Sequence, residues 1–341
     1  MAKRNSAALL TKKVLLVIGN GFDLDLGLRT SYSDFVDSSF FKYLNDASIP
    51  CPVDFFEGVD KNKMKMHPNV LASYIQEKKE HNNWVDLEEC IREFCEQQLE
   101  EFVDKDALRK ELFAIRYMLF HYLAKVVDYQ FGERNKLFKN HIAYKLLDGV
   151  VKGGVDYQIW DFNYTFTCES LLELMQVPSQ EINRSLHYIH GQLYKENENE
   201  RWPIVLGSNS TPKMQKICPK AVKSNAFGYY DNCRAFKDDL ANASTIVFMG
   251  HSMGSTDRPY FVDLLKSSKL EQVVIITKSE SSLDEFRANM EVATGDLYGI
   301  RKEETKIQEL AFTSDGYYEL FQQYNAEKSK AFEQIMHKIV T

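Results

Sequence analysis

The sequence predicts an α/β protein built on a doubly wound, mostly parallel sheet, with a large helical insertion after the first strand. Short apolar runs rich in β-branched residues alternate with helical patterns, as expected for parallel strands covered on both faces. A glycine or a polar residue follows most of these runs, which marks where each strand ends. The predicted strands are residues 13–18, 155–162, 186–189, 203–207, 244–249 and 273–277, with a weaker run at 306–312.

The helical insertion is predicted from residues 68–150, in which apolar side chains recur at helical spacing. One such series is Trp84, Leu87, Ile91 and Phe94. The block has room for about three or four helices of ordinary length. The predicted division is a sheet-containing core of residues 1–45 and 151–341, and a helical module of residues 46–150.

Composition and charge argue against several classes of protein. The chain has 341 residues and a formal net charge of −7, which makes nucleic-acid binding unexpected because that needs a basic surface. The six cysteines are scattered with no C-x-x-C pair, so neither a disulfide framework nor a metal site is expected. No apolar run approaches the roughly 18 residues of a membrane span, and Lys12 and Lys13 interrupt any signal-peptide core. We expect a cytoplasmic protein that binds no membrane, and leave a homo-oligomer open.

The first strand runs directly into the turn Gly19-Asn20-Gly21. Glycines allow a sharp turn and close approach of a ligand, and a helix starting near Phe22 would point its free N–H groups at a phosphate. The sixth position is Leu24, so the G-x-G-x-x-G fingerprint fails, and there is no P-loop motif. The turn is therefore either a nucleotide-binding loop or a plain tight turn. Asp23 and Asp25 would repel a phosphate that they faced.

Polar residues follow several predicted strands, at the sheet edge where ligands bind in open parallel sheets. The side-chain amide of Asn163 can bond a ribose hydroxyl or a water, and His190 can transfer a proton near neutral pH. Each is also a common turn residue, and Asp257 could merely cap a helix that Pro259 begins. His187 would point away from His190 in a strand, so a metal-binding pair is not expected.

A rival interpretation starts from Gly250-His251-Ser252-Met253-Gly254, which fits the G-x-S-x-G nucleophile elbow after a strand. It would make Ser252 an acyl-transfer nucleophile. The chain order argues against this, because the single histidine after Ser252 is His337, in the terminal helix that we predict from about residue 316.

Several motifs resemble those of the bacteriophage abortive-infection AbiH family. The opening motif, Ile18-Gly19-Asn20-Gly21-Phe22-Asp23-Leu24, is long and specific, whereas a His-Gly pair alone is not. The motifs follow the family's order and span residues 18 to 261. The later ones are Gly27-Leu28, Thr30-Ser31-Tyr32, Asp34-Phe35, Trp84-Val85-Asp86-Leu87-Glu88, Phe162-Asn163-Tyr164-Thr165, Ile189-His190-Gly191, and Gly250-His251-Ser252 with Asp257 and Tyr260-Phe261.

That family in turn resembles the sirtuin-like proteins, which have a Rossmann-type NAD-binding fold with an inserted helical module. The resemblance implies a Rossmann-like nucleotide-binding core, in which Asn163 holds the ribose or an attacking water and His190 is the catalytic base. It implies antiphage defence by hydrolysis of NAD, as substrate, to nicotinamide and ADP-ribose, or of a related nucleotide. The glycine loop and Thr165 depart from the relatives' pattern, and the lack of zinc cysteines speaks against a lysine deacylase. The residues expected to contact the nucleotide are Gly19, Asn20, Gly21, Phe22, Asp23, Thr165, Gly250, Ser252 and Asp257.

A second hypothesis is a nucleotide-binding sensor that performs no chemistry and uses the helical block as a partner-binding surface. Stabilisation by a nucleotide without turnover would favour the sensor over the hydrolase.

Overall fold

The computed structural model describes residues 12–46, 48–52, 69–82, 86–97, 105–134, 138–193, 204–209, 211–217, 219–225, 229–299, 306–311 and 326–341. The strands in these ranges are β1 (Lys13–Ile18), β2 (Asp156–Asp161), β3 (Leu186–Tyr188), β4 (Thr245–Met249), β5 (Gln272–Thr277) and β6 (Lys306–Ala311). They form one sheet of order β3-β2-β1-β4-β5-β6, and every pair in it is parallel. The predicted doubly wound parallel sheet is confirmed, and its order is that of a Rossmann-like fold.

The carboxyl ends of the strands lie level along one edge of the sheet. Ile18 at the end of β1 pairs with Asp161 of β2 on one side and with Met249 of β4 on the other. The same register continues outward, where Asp161 pairs with Tyr188 and Met249 with Ile276. Residues that directly follow these strands are therefore neighbours in space, as the sequence predicted.

Helices cover both faces of the sheet. The helices are α1 (Asn20–Asp25), α2 (Tyr32–Asp37), α3 (Ser39–Lys42), α4 (Val70–Asn82), α5 (Leu87–Gln97), α6 (Lys105–Arg134), α7 (Ile142–Lys152), α8 (Thr167–Leu174), α9 (Ser179–Ser185), α10 (Pro212–Ile217), α11 (Tyr229–Asn242), α12 (Arg258–Phe261), α13 (Glu280–Thr294) and α14 (Ala326–Val340). Leu16 of β1 packs into the cluster formed with α7, α8 and α14, and the next residue, Val17, packs into that formed with α11, α12 and α13. This alternation explains why β1 is apolar at successive positions.

A third hydrophobic cluster is built largely from α2 to α6. Helices α4, α5 and α6 confirm the helical pattern predicted for residues 68–150, although Trp84 lies outside the described residues. Helix α7 falls in the same predicted block but packs on the sheet. The boundaries proposed for the helical module stay a prediction.

The strand predicted at residues 203–207 is wrong. In the described part of this segment, residues 204–207 form no strand, and Ser208 makes only an isolated bridge with Val222. Ile204 and Leu206 are buried in the helical cluster. Ile204 and Leu206 thus pack against helices instead of pairing in the sheet.

The remaining elements agree with the sequence to within a few residues. The weak strand is present as β6, and the helix predicted near Phe22 begins two residues earlier, at Asn20. The terminal helix is α14, while residues 312–325, where its start was predicted, lie outside the described residues. No helix within the described ranges combines the length and the apolar character needed to cross a membrane.

Candidate functional site

A cavity of about 620 Å³ opens over the carboxyl edge of the sheet. Its lining includes residues that follow β1, β2, β3, β4 and β5, so it lies where ligands bind in folds of this kind. The predicted site residues all line it with one exception, Phe22. The Phe22 ring is fully buried in the core below the cavity, where it packs with residues of the sheet.

The glycine turn after β1 is held against the turn after β4. The N–H of Gly21 donates to the carbonyl of Gly250 at 2.9 Å, and the N–H of Gly19 donates to that of Met249 at 3.1 Å. A Cβ on Gly21 would lie 2.4 Å from the Cα of Gly250, closer than real Cβ atoms approach. The contact between the two turns therefore accounts for these glycines. Their contact with a ligand stays a prediction.

His190 is hydrogen-bonded to Asp257 in the wall of the cavity. Its Nε2 lies 2.9 Å from Oδ1 of Asp257, and its ring meets Phe162 edge to face, with centroids 5.6 Å apart. In the neutral imidazole this bond places the proton on Nε2 and leaves Nδ1 as the acceptor. Within the described residues, no side chain or backbone group hydrogen-bonds Nδ1. This nitrogen is therefore the one that can take a proton from a bound molecule.

Asp257 is shared by three basic side chains. Its Oδ1 also accepts from Nζ of Lys223 at 2.8 Å, and its Oδ2 lies 3.6 Å from Nε2 of His251. Burial alone would raise the pKa of Asp257, but Lys223 and His190 hold it well below its ordinary value. The carboxylate makes no side-chain cap for α12, so the capping alternative is not what the structure shows.

Lys223 is only 1% exposed and connects this site to the helical insertion. Its Nζ lies 2.7 Å from Oε2 of Glu88, on the first turn of α5. Glu88 also accepts hydrogen bonds from the hydroxyls of Thr256, at 2.8 Å, and Tyr164, at 3.2 Å. Burial alone would lower the pKa of Lys223, but the carboxylates of Asp257 and Glu88 raise it above its ordinary value. The lysine is therefore charged and fully paired.

A hydrogen bond to the turn after β1 fixes the orientation of the Asn163 side-chain amide. Its Nδ2 donates to the carbonyl of Gly19 at 3.1 Å, and its backbone N–H donates to Oδ1 of Asp161 at 2.8 Å. The side-chain oxygen is left to accept a hydrogen bond from a ligand or a water. Asn163 and His190 line the same cavity, as the sequence predicted.

Asp23 is fully buried beneath the cavity and accepts a hydrogen bond from the hydroxyl of Thr165 at 2.7 Å. Burial raises its pKa to about 7, although the Thr165 hydrogen bond partly opposes this. Asp161 is buried beside it, and burial and the Asp23 carboxylate raise its pKa well above the ordinary value. Asp23 is therefore mostly protonated below pH 7, and in that form it does not repel an anionic ligand as a carboxylate would. Asp25 lies elsewhere, and caps α7 through the N–H of Ala143 at 2.9 Å.

The sequence profile of the family described as Bacteriophage abortive infection AbiH matches residues 15–278. This range covers most of the chain, runs from within β1 to the residue after β5, and includes Asn163, His190 and Asp257. The chain belongs to the AbiH family. Membership places this AbiH protein in antiphage abortive infection in general, without specifying a reaction. Among proteins of curated function, no significant match to the chain was found.

Sequence reasoning missed Lys223 and Glu88, among other residues of this AbiH site. Glu88 stands in a motif that carried the resemblance, and it shares a face of α5 with the buried Ile91 and Cys95. A carboxylate at a core position of an amphipathic helix was the available signal that it needs a buried partner. Lys223 lies in a short 3₁₀ turn, Lys223–Asn225, and no sequence spacing marks it.

The acyl-transfer alternative lacks its catalytic geometry. Ser252 is exposed, and among the described residues its hydroxyl has no histidine partner. Nδ1 of the adjacent His251 accepts from the N–H of Met253 at 3.0 Å, and His337 is exposed on α14. His187 stacks on Trp160, and no cluster of metal-ligating side chains occurs in the described ranges.

The buried Asp23 predicts a pH-dependent stability for this AbiH protein. A pKa raised from 3.8 to about 7 stabilises the folded state at low pH, and this contribution is lost as the pH rises from about 4 to 7. From pH 5 to pH 8 the wild type should therefore lose about 2–3 kcal/mol of unfolding free energy relative to Asp23→Asn, which cannot ionise at this position. Urea unfolding at both pH values measures this difference.

The control for that experiment is Asp106→Asn, because Asp106 is largely exposed on α6. Its difference from the wild type should be small and the same at both pH values. If the difference in unfolding free energy between Asp23→Asn and the wild type is also the same at both pH values, the pKa of Asp23 is not raised in the folded protein.

Proposed function

We propose that this AbiH protein hydrolyses the N-glycosidic bond of NAD, or of a related nucleotide, in the cavity over the sheet edge. The observation that carries the proposal is that Asn163 and His190 line one cavity, with His190 held by Asp257 so that Nδ1 is left to act. Resemblance to sirtuin-like proteins supplies the substrate class. The cavity volume is within the range of small-molecule and cofactor sites, about 300–1,000 Å³.

The reaction needs one nucleophilic water and one base. The water oxygen forms a bond to the ribose C1′ while the bond from C1′ to the pyridinium nitrogen breaks. The electron pair of the breaking bond goes to that nitrogen, so nicotinamide leaves as a neutral molecule. The proton of the water goes to Nδ1 of His190, and the Asp257 carboxylate stabilises the resulting imidazolium. The oxygen of Asn163 accepts a hydrogen bond from the water or a ribose hydroxyl and orients it.

The anionic part of the substrate is assigned to the other side of the cavity. Lys278 follows β5 and lines the cavity, and three strands, β2, β1 and β4, lie between β5 and β3, the strand that leads to His190. Hydroxyls of Thr30, Ser31 and Ser33 also line it. A lysine and the Ser33 hydroxyl, which has no hydrogen-bond partner among the described residues, suit phosphate oxygens. The hydroxyls of Thr30 and Ser31 already donate to Asn20 and Asp34, and the N–H groups of Gly19 and Gly21 donate to carbonyls.

The test is to incubate purified protein with NAD and to follow nicotinamide by chromatography. Asn163→Ala and His190→Ala should each lose about 100-fold or more of the rate, because each removes a group that acts on the water. His187→Ala is the matched control: this histidine lies on β3 but packs on Trp160, outside the cavity, and its rate should stay near the wild type. The proposal fails if neither purified protein nor phage-challenged cells that express it release nicotinamide, or if both alanine variants keep the full rate.

A specific contact also favours the sensor hypothesis. Glu88 of the helical α5 both lines the cavity and pairs with Lys223, so a ligand in the cavity touches a residue that anchors the insertion. A nucleotide that raises the melting temperature without being consumed would favour a sensor, because binding to the folded state alone stabilises it.

A further inference from the structure

We infer that Lys223 is a positioning residue that keeps His190 neutral, with its proton on Nε2 and with Nδ1 available to the reacting water. This inference rests on the proposed function for its catalytic consequence. The geometry that points to it is a shared acceptor: Oδ1 of Asp257 lies 2.8 Å from Nζ of Lys223 and 2.9 Å from Nε2 of His190.

The lysine and the imidazole are direct neighbours as well. Nζ of Lys223 lies 3.4 Å from Nε2 of His190, and both side chains are almost completely buried. An ammonium group can only donate hydrogen bonds, and two cations at this separation repel each other strongly where water does not screen them. A charged lysine therefore disfavours the imidazolium in the resting site and directs the N–H of His190 to Asp257.

The charges around the pair give the same result. Two carboxylates, Glu88 and Asp257, share the single positive charge of Lys223. If the lysine charge were removed, these carboxylates would favour a proton on His190 in its place. The groups that face the pair from the surrounding elements are Asp86 and Glu88 of α5 and its cap, Tyr164 after β2, Tyr229 of α11, His251, Thr256 and Asp257 after β4, and Tyr260 of α12. Of these, His251 has Nδ1 occupied by the N–H of Met253 and reaches Asp257 through Nε2 only.

The experiment uses the full-length chain with ¹⁵N-labelled histidine and long-range ¹H–¹⁵N spectra, with the His190 signals assigned by their loss in His190→Ala. In the wild type at pH 7.5 we expect a neutral ring protonated on Nε2. Lys223→Met keeps the length of the side chain and removes its charge, and the double variant Lys223→Met/Glu88→Gln also removes the carboxylate that would be left without its lysine partner. In each of these two variants that folds, the His190 ring should carry a proton on both nitrogens at pH 7.5.

The kinetic counterpart is a shift in the pH profile. In Lys223→Met and the double variant the rate at pH 7 should fall at least about tenfold and recover as the pH is raised, with KM little changed, and Lys223→Arg should restore most of the rate. Lys213→Met is the matched control, since Lys213 also bonds α5, through the carbonyl of Glu96, but does not line the cavity. It should leave the His190 spectrum unchanged.

Two results would overturn the inference. One is a folded Lys223 variant whose His190 keeps the wild-type protonation and tautomer at pH 7.5, and the other is a wild-type ring protonated on Nδ1. These spectra require no turnover. Failure to release nicotinamide would therefore remove the proposed function and leave the spectra to decide the role of Lys223.

Discussion

Gly250→Ala should lower the unfolding free energy by about 3 kcal/mol or more. A Cβ at this position would lie 2.3 Å from the Cα of Gly21 and 2.4 Å from its carbonyl carbon. Both are backbone atoms of the turn after β1, so neither can move aside as a flexible side chain would. The positive φ of +61° at Gly250 adds strain for any residue that has a Cβ. Urea unfolding of the two proteins measures the loss.

Gly295→Ala separates the two causes. Gly295 also has a φ of +61°, but a Cβ there would meet nothing within 4 Å. It should cost about 1–3 kcal/mol, which is the strain of its own backbone conformation, φ +61° with ψ −145°, without any close contact. Equal destabilisation by the two alanines would contradict the close contact between the turns. A larger loss at Gly250 would support it and give its size.

Asp257→Asn should affect both stability and chemistry. The asparagine keeps the shape of the side chain but removes the charge that Lys223 and His190 share. Lys223 keeps Glu88 as its partner, so the loss of unfolding free energy should be about 1.5–3 kcal/mol, as for a hydrogen bond to a charged group, and less than for a buried charge left without any partner. Under the proposed mechanism the rate of NAD hydrolysis should also fall by about 10²- to 10⁴-fold, since the imidazolium loses its counter-ion. The measurements are urea unfolding and nicotinamide release, the latter well below the melting temperature.

Asp263→Asn provides the matched control for this change. Asp263 also pairs with a lysine, Lys266, at 2.6 Å, but its side chain is 45% exposed. Exposed pairs of this kind contribute about 1 kcal/mol or less, so stability and rate should both remain near the wild type. An Asp257→Asn protein as stable as the control would show that the buried network does not hold the fold, and one as active would exclude Asp257 from the mechanism.

The sheet was predictable from the sequence because burial on both faces leaves a mark in each strand. Ile246 and Val274 belong to runs that no surface strand would tolerate, and both strands lie where they were predicted. The same reasoning was wrong at Leu206, because burial against helices produces a similar short apolar run. Only the tertiary structure distinguishes these two environments.

The site was predictable to the extent that it follows strands. Asn163 and His190 were found by their position after β2 and β3, and they line the cavity. Lys223 pairs with Glu88, which lies 135 positions earlier in the sequence. No local sequence pattern encodes a contact over that separation. The role of the glycines was likewise hidden, because a turn that contacts another turn has the same composition as one that contacts a ligand.

The bond between Lys223 and Glu88 has a consequence for protein engineering. Asp257 after β4 and Glu88 of α5 together balance the charge of the lysine. Replacing the helices around α5 therefore also changes the charge balance of the buried site. A chimaera that carries another relative's helices would need a carboxylate at the position of Glu88, or a neutral residue at 223 to match. Without one of these, the graft would leave an ammonium group buried beside His190 with half of its counter-charge missing.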